Sequence, residues 1–483
     1  MQEIDIATIK QRSIKGVFSL VSRTFLIQLI GQMVTFLLTV YLSPADYGLF
    51  FLVSTVITFL AYFSDVGLAA ALIQKKEALT EDDLKTTFTI QQILVIIVVI
   101  IGFLLTPLVT RTYDLDITGT YLYQALIVAF FLSSLKTIPS ILLERKLQFN
   151  KLIIPEIVET LGFNIIVLVL AIKGFGAASF TFAVLTRGLS GLITMYVIAP
   201  WRPRIGISRN AARGLLAFGL PFQLNSILAL AKDNLFFLYL GAVLPKPALG
   251  FIGIAQKWAY IPLRLVMDNL IRITFPSFSR LAEHGEYLGK AVEKTLFSTT
   301  LFIFPSLVGL VLLMPHFMEI FPKYQKWEPA IVSLTFFGIN AILSSITTPL
   351  TNALNAIGKI KITLYLMIFW TIATWVLTPV MISLYGFNGV SIASAIISLS
   401  VVGVVFIVKR YIKFSLLTVT LTPAVATIVM GVVIYFLGDI IIDFPTFFLT
   451  IVVGGIVYMT TMYLLAKNMI RADIQMIRDN LRK

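Results

Sequence analysis

The stretch LSPADYGLF, Leu42–Phe50, is a short turn between two long apolar runs, and it has a counterpart in LPKPALGF, Leu244–Phe251. Leu42 aligns with Leu244 and Gly48 with Gly250 at a single offset of 202 residues. In both places a proline-containing turn joins two apolar runs, and glycine opens the second. Proline and glycine suit any such turn, so the value of the match lies in its spacing. Counted in apolar runs, the offset carries the first run of the chain onto the seventh. Six helices per repeat is an even number, so two such units share one orientation in a membrane and are related by an axis along its normal.

Working outward from the two turns, apolar runs bounded by charge, proline and glycine predict fourteen membrane helices. They fall near 17–42, 48–73, 87–110, 121–143, 152–172, 177–199, 214–243, 248–276, 295–321, 330–355, 362–384, 387–408, 416–437 and 445–466. The runs are continuous, whereas the strands of a membrane barrel alternate, so the fold class is all-α and polytopic. The repeat divides the chain into an N-lobe over 1–205 and a C-lobe over 206–412, two six-helix lobes with a cleft between them. A terminal helix pair over 413–467 is left over, apolar but for Asp439 and Asp443 in its loop. The tail over 468–483 carries Ile470, Ile474, Ile477 and Leu481 on one helical face. It reads equally as an interfacial helix and as a solubilising tail.

Composition excludes several classes of function. Of 483 residues, 58% are hydrophobic and 13% charged, against about 45–50% and 25% in soluble domains. No stretch between apolar runs is long enough to hold an extramembrane catalytic domain. Without cysteine there is neither a disulfide framework nor thiol chemistry, and two histidines, His284 and His316, argue against an imidazole metal centre. Gly358–Lys359 lacks the earlier glycine of a phosphate-binding loop, so no nucleotide site and no cofactor is expected. The net charge of +14 is not a nucleic-acid signal. If the N-terminus is cytoplasmic, inner loops and termini hold 25 of the 38 Lys and Arg residues; outer loops hold Arg111, Lys173, Lys246, Lys323 and Lys326. A missed helix would scramble that alternation, so both termini are expected on the cytoplasmic side.

The other basic residues lie in or beside the spans, where an ionisable side chain costs about 2.5–3.5 kcal/mol and needs a reason. In helix 8, Lys257, Arg264, Asp268 and Arg272 are spaced seven, four and four apart, a stripe about 80° wide on one face. Arg23 and Asp65 lie in helices 1 and 2, Arg187 in helix 6, and Lys232 and Asp233 in helix 7. For Arg23, Asp65, Arg187 and Asp233 the competing role is an ion pair between helices. Lys136 and Lys294 are near enough to the inner interface to snorkel. Glu156 and Glu159 open helix 5, where the helix dipole favours carboxylates. The deep set still holds a surplus of cations, which favours an anionic substrate, and arginine suits phosphate through its fork of donors.

Further stretches carry a resemblance: FSDVGLAAALIQ at Phe63–Gln74, LLERKLQFNKL at Leu142–Leu152, GFGAAS at Gly174–Ser179 and FPSFSRL at Phe275–Leu281, in order with LSPADYGLF. Together the chain resembles the Wzx-type oligosaccharide flippases of the MOP superfamily, which also includes the MATE exporters and the MurJ-type lipid II flippases. The resemblance implies two six-helix lobes plus a terminal pair, working by alternating access in the cytoplasmic membrane. It implies that undecaprenyl-pyrophosphate-linked oligosaccharide is moved from the inner to the outer leaflet. Ser22–Arg23 is similar in place to the Ser-Arg that opens the lipid II flippase pattern. The second Arg, followed by Asp, is absent, with Leu29 and Ile30 at its place, which turns the expectation away from lipid II itself.

On this reading Arg23, Arg187, Lys257 and Arg264 bind pyrophosphate and charged sugars. Asp65, Lys232, Asp233, Asp268 and Arg272 are cleft charge partners or coupling groups, and Gln28, Gln32, Asn225, Trp258 and Tyr260 are sugar contacts. No metal site and no enzyme activity is expected. Transport energy would come from a Na+ or H+ gradient, the membrane potential or the substrate gradient. Polysaccharide polymerase and glycosyltransferases are the expected partners beside the lipid bilayer. The rival readings are an ion-coupled, MATE-like exporter of small molecules, a membrane glycosyltransferase or polymerase, and an assembly subunit without transport of its own.

Overall fold

The computed structural model describes residues 30–481 apart from 65, 66, 76, 147 and 226–233. The described residues are helical throughout, with short connections and no strand. Ten helical segments among them are long and apolar enough to cross a membrane: Pro44–Ala61, Glu81–Leu104, Ile117–Ser134, Phe149–Ile172, Ala178–Ile198, Gly285–Ile320, Ala330–Ala356, Ile360–Lys409, Leu416–Ile440 and Phe444–Leu465. The protein is a multi-pass membrane protein. Ile360–Lys409, at 50 residues, would be about 75 Å long if straight, more than twice a bilayer core of about 30 Å. It is broken at Gly386–Asn388, where Gly386 takes φ 59, and Ile360–Tyr385 packs against Gly389–Ser398. Lys246–Arg280, at 35 residues, is long enough to span but not apolar enough to count among the ten.

Several helices begin where local chemistry starts them rather than where the apolar run does. Before Pro44–Ala61, the Asp46 N–H donates to Ser43 Oγ at 3.2 Å and the Ser43 N–H to Asp46 Oδ2 at 2.8 Å, with Pro44 in the first turn. Thr80 and Asp83 cap Glu81–Leu104 in the same reciprocal way. Each cap satisfies amide donors that the first turn leaves without an intrahelical acceptor. The helix therefore starts six residues before the expected position 87, because Glu81, Asp82 and Asp83 are helical without being apolar. Three predicted spans also divide into a long and a short helix: Leu68–Gln74 comes after Pro44–Ala61, Thr106–Thr112 after Glu81–Leu104, and Thr137–Arg145 after Ile117–Ser134.

The helices form two compact units, residues 1–250 and 251–483. In the first, Phe149–Ile172 and Ala178–Ile198 make an antiparallel hairpin, and Ile117–Ser134 packs on the latter. A core of Leu68, Leu72, Phe88, Ile138, Ile141 and Leu215 lies beneath Trp201. Arg145, from the LLERKLQFNKL stretch, closes that end by donating to the carbonyls of Leu72 (2.6 Å), Lys75 (2.6 Å) and Glu77 (2.8 Å). The two turns of the repeat also meet in this unit. A Cβ on Gly48 would overlap the Lys246 carbonyl, and a Cβ on Gly250 would overlap the Pro44 carbonyl. Pro44 and Lys246 are themselves 202 residues apart, so the contact has the symmetry of the repeat.

In the second unit Gly285–Ile320 is the central helix, packed by Ala330–Ala356 and Leu416–Leu437. Its core includes Phe278 (from the FPSFSRL stretch), Leu296, Leu350, Val404 and Met430. Leu416–Leu437 packs against Phe444–Leu481, and the Tyr458 hydroxyl donates to the Leu301 carbonyl at 2.7 Å.

Candidate functional site

Two groups of charge on long helices are described, one in each unit. In the second unit, Ala255 and Ala259 on Lys246–Arg280 are buried, while Tyr260, Leu263 and Val266 pack against Ile303, Leu307 and Ala341. At 100° per residue Lys257, Arg264 and Asp268 share one face, opposite Ala255 and Ala259 and beside Tyr260. Lys257 is partly buried, and Arg264 and Asp268 are exposed. Lys257 and Arg264 are two turns apart on one face of the helix. Pro262, between them, supplies no amide hydrogen to the Trp258 carbonyl, which loosens the helix at the height of the cations.

In the first unit, Arg187 is the tenth residue of Ala178–Ile198 and Glu159 the eleventh of Phe149–Ile172, so both lie near mid-helix. Because that second helix begins at Phe149, Glu159 is about three turns inside it rather than in its opening turn, and the helix-dipole explanation does not apply. Glu159 is 7% exposed. Its Oε1 touches the Lys136 ε-ammonium, and its Oε2 lies 3.8 Å from Arg187 Nε. Lys136 thus reaches a buried carboxylate instead of snorkelling to the interface. A Cβ on Gly191, one turn after Arg187, would overlap the Glu159 carboxyl group, so this glycine makes the recess that the acid fills. Lys136 and Glu159 form a buried charge cluster with Arg187 that sequence reasoning missed. Gly191 at four residues from Arg187 was the available signal for a buried partner on the facing helix.

The remaining candidates are spread over both units. Tyr260 donates its hydroxyl to Asn340 Oδ1 at 2.8 Å, and Asn340 donates to the Ser394 carbonyl at 2.8 Å, so Tyr260 is part of a polar link across three helices. Trp258 is half-buried on the same helix. Gln32 is half-buried on the short helix Ile30–Tyr41, and its Oε1 accepts no hydrogen bond among the described residues. Arg23, Gln28, Asp65, Lys232 and Asp233 lie outside the described residues, as do the side chains of Asn225 and Arg272.

Intramembrane cations on an all-helical scaffold narrow the class of protein, and comparison with known proteins decides it. A family model described as "Polysaccharide biosynthesis protein" matches residues 37–332, more than half of the chain. The chain belongs to that family. It is similar to the teichuronic acid biosynthesis protein TuaB of Bacillus subtilis, 24% identical over 305 residues, which span 62% of each chain and so less than two thirds of that relative's length. It is also similar to the succinoglycan biosynthesis transport protein ExoT of Rhizobium meliloti, 23% identical over 460 residues and 90% of each chain. Among solved structures it resembles the lipid II flippase MurJ in an inward closed conformation, with a TM-score of 0.74 and 16% identity over 94% of this chain and 99% of that one. At that identity the likeness establishes the fold.

Proposed function

We propose that this family member is a flippase that carries undecaprenyl-pyrophosphate-linked oligosaccharide from the inner to the outer leaflet by alternating access. The observation that carries the reading is the pair Lys257 and Arg264, two cations on one face of Lys246–Arg280, opposite the buried Ala255 and Ala259. Each such cation costs about 2.5–3.5 kcal/mol to insert, and a phosphate-bearing headgroup is the ligand that offsets that cost. Relatives named for polysaccharide biosynthesis and transport support the substrate class. In this reading Arg23 and Arg187 join Lys257 and Arg264 on the pyrophosphate. Gln28, Gln32, Asn225, Trp258 and Tyr260 face sugar, while Asp65, Lys232, Asp233, Asp268 and Arg272 balance charge or couple an ion. The chain crosses the membrane fourteen times as two six-helix lobes and a terminal pair, with both termini inside. A Na+ or H+ gradient or the membrane potential drives it, and polymerase and glycosyltransferases act before and after it.

The test is reconstitution of the purified protein in vesicles with a fluorescent glycan on a polyprenyl pyrophosphate. Lys257→Gln with Arg264→Gln is expected to slow headgroup translocation by tenfold or more, about 1.4 kcal/mol per factor of ten. Translocation at the normal rate with normal protein levels would remove both residues from the binding role. Resistance to cationic drugs on overproduction, unaffected by these substitutions, would favour the exporter instead.

A further inference from the structure

Two cations meet one buried carboxylate in the first unit, and the surplus charge has a direction. Glu159 lies in the Gly191 recess with its two oxygens shared out, Oε1 to Lys136 and Oε2 to the Nε edge of Arg187. The triad carries one net positive charge. Lys136 is mostly covered, with 21% of its side chain exposed, whereas the Arg187 side chain is 59% exposed. That exposure is not on the outer, apolar face of the helix. Phe182, Leu189, Ile193 and Val197 form that face, and Arg187 stands well around from it, among the buried Phe180, Ala183, Val184 and Gly191. Nε is the Arg187 nitrogen that faces the acid, at 3.8 Å, which leaves the Nη1–Nη2 edge of the guanidinium to grip a phosphate or carboxylate with two parallel hydrogen bonds.

We propose that Glu159, itself steadied by Lys136, is the positioning residue of an oxyanion subsite whose contact group is Arg187. The subsite takes a phosphate-bearing group; its identification with the pyrophosphate of a lipid-linked glycan rests on the flippase reading. Lys136 is as necessary as Glu159. Without it the carboxylate's whole charge falls on Arg187 and draws the guanidinium inward as an internal ion pair. With it the acid orients Arg187 and leaves most of its charge to the ligand.

The experiment measures binding of inorganic pyrophosphate to the full-length protein in detergent by calorimetry, then the half-saturating concentration of a lipid-pyrophosphate glycan in vesicles. Arg187→Gln is expected to weaken pyrophosphate binding about tenfold or more. Glu159→Gln, of equal size but uncharged, is expected to weaken it severalfold and to raise the half-saturating concentration more than it lowers the maximal rate. Added to Arg187→Gln, it has no further effect on binding, because nothing remains to be positioned. Lys136→Gln weakens binding while Arg187 is present. If Glu159→Gln does not accumulate, Glu159→Asp, which keeps the charge but withdraws it by one methylene, shows the same dependence on Arg187. Unchanged binding in the Glu159 variant, a loss that adds in full to that of Arg187→Gln, or no pyrophosphate binding by the unaltered protein would overturn the proposal. Binding in the expected pattern by a protein that moves no glycan would leave the subsite standing and remove the flippase reading.

Discussion

Gly191 shows how much a residue without a side chain can determine. The Glu159 carboxyl group occupies the volume that a Cβ on Gly191 would need, and it is flanked there by Lys136 and Arg187. A methyl group at this position has two outlets: it shifts the backbones of a tightly packed hairpin, or it expels a charged acid from its two partners. Overpacking of this kind costs about 1–3 kcal/mol, against a gain of up to about 1 kcal/mol in helix propensity. Gly191→Ala is therefore expected to lower the thermal denaturation temperature by several degrees in detergent. Gly455→Ala, where nothing lies within 4 Å of the new Cβ, is the control and should hold or raise it. Equal responses from the two variants would mean that the recess is not tight. The Glu159 environment was not legible in the sequence, because a helix-start carboxylate and a mid-helix one look alike when the start is misplaced by a few residues. Arg187 was legible as an anomaly, since a lone arginine in an apolar run stands out whatever surrounds it.

At the scale of elements, the apolar runs marked where chain crosses lipid, and this differs from where helices begin and end. Glu81–Leu104 starts among acids because Thr80 and Asp83 cap it, and the break at Leu105 falls inside a run that hydropathy reads as continuous. Hydropathy measures the solvent, whereas caps and breaks are set by backbone hydrogen bonds. The repeat was legible as spacing alone; what spacing could not say is that its two glycines touch each other's turn. Gly48→Ala and Gly250→Ala are each expected to disrupt the same contact, because either methyl group meets a carbonyl of the other turn. The double variant should therefore denature at a temperature close to that of the worse single variant rather than at the sum of both losses. Additive losses would indicate two separate packing faults. The last helix offers a pH test at its own start. Asp443 Oδ1 accepts from the Thr446 N–H at 3.0 Å and from the Thr446 hydroxyl at 2.7 Å, and these bonds hold its carboxyl below the usual aspartate value. A depressed value means that the cap stabilises the folded chain above the unfolded value of about 3.9 and is lost as pH falls through the folded one. Protection of the amides around 443–447, relative to the intrinsic exchange rate at each pH, should fall in that acid range, and in Asp443→Ala it should be low already at neutral pH.

For the whole molecule, the arrangement of charge makes a statement that helix packing alone does not. Two compact units of helices could be threaded with either face inward. Lysine and arginine break the tie, since basic loops are retained on the cytoplasmic side. The proposed topology puts Arg202, Arg204, Arg209 and Arg213 between the sixth and seventh predicted helices, and Lys409, Arg410 and Lys413 before the terminal pair, on one side. It puts Arg111, Asp439 and Asp443 on the other. The chain has no cysteine, so single introduced thiols report position without background. Arg111→Cys and Asp439→Cys are expected to react with a membrane-impermeant maleimide added outside intact cells or spheroplasts. Arg202→Cys, Lys413→Cys and Lys483→Cys should react only after permeabilisation. The pair Asp439 and Lys483 carries the most weight, because one more crossing must separate them for the helix number to be even. If the Lys483→Cys thiol were labelled from outside while Lys413→Cys stayed protected, the terminal pair would be a single crossing and the count of fourteen would fall. If Arg202→Cys were labelled, the error would lie in the first six helices. The repeat would then no longer relate two units of like orientation, and Arg187 would have to be reassigned to the opposite half of the membrane.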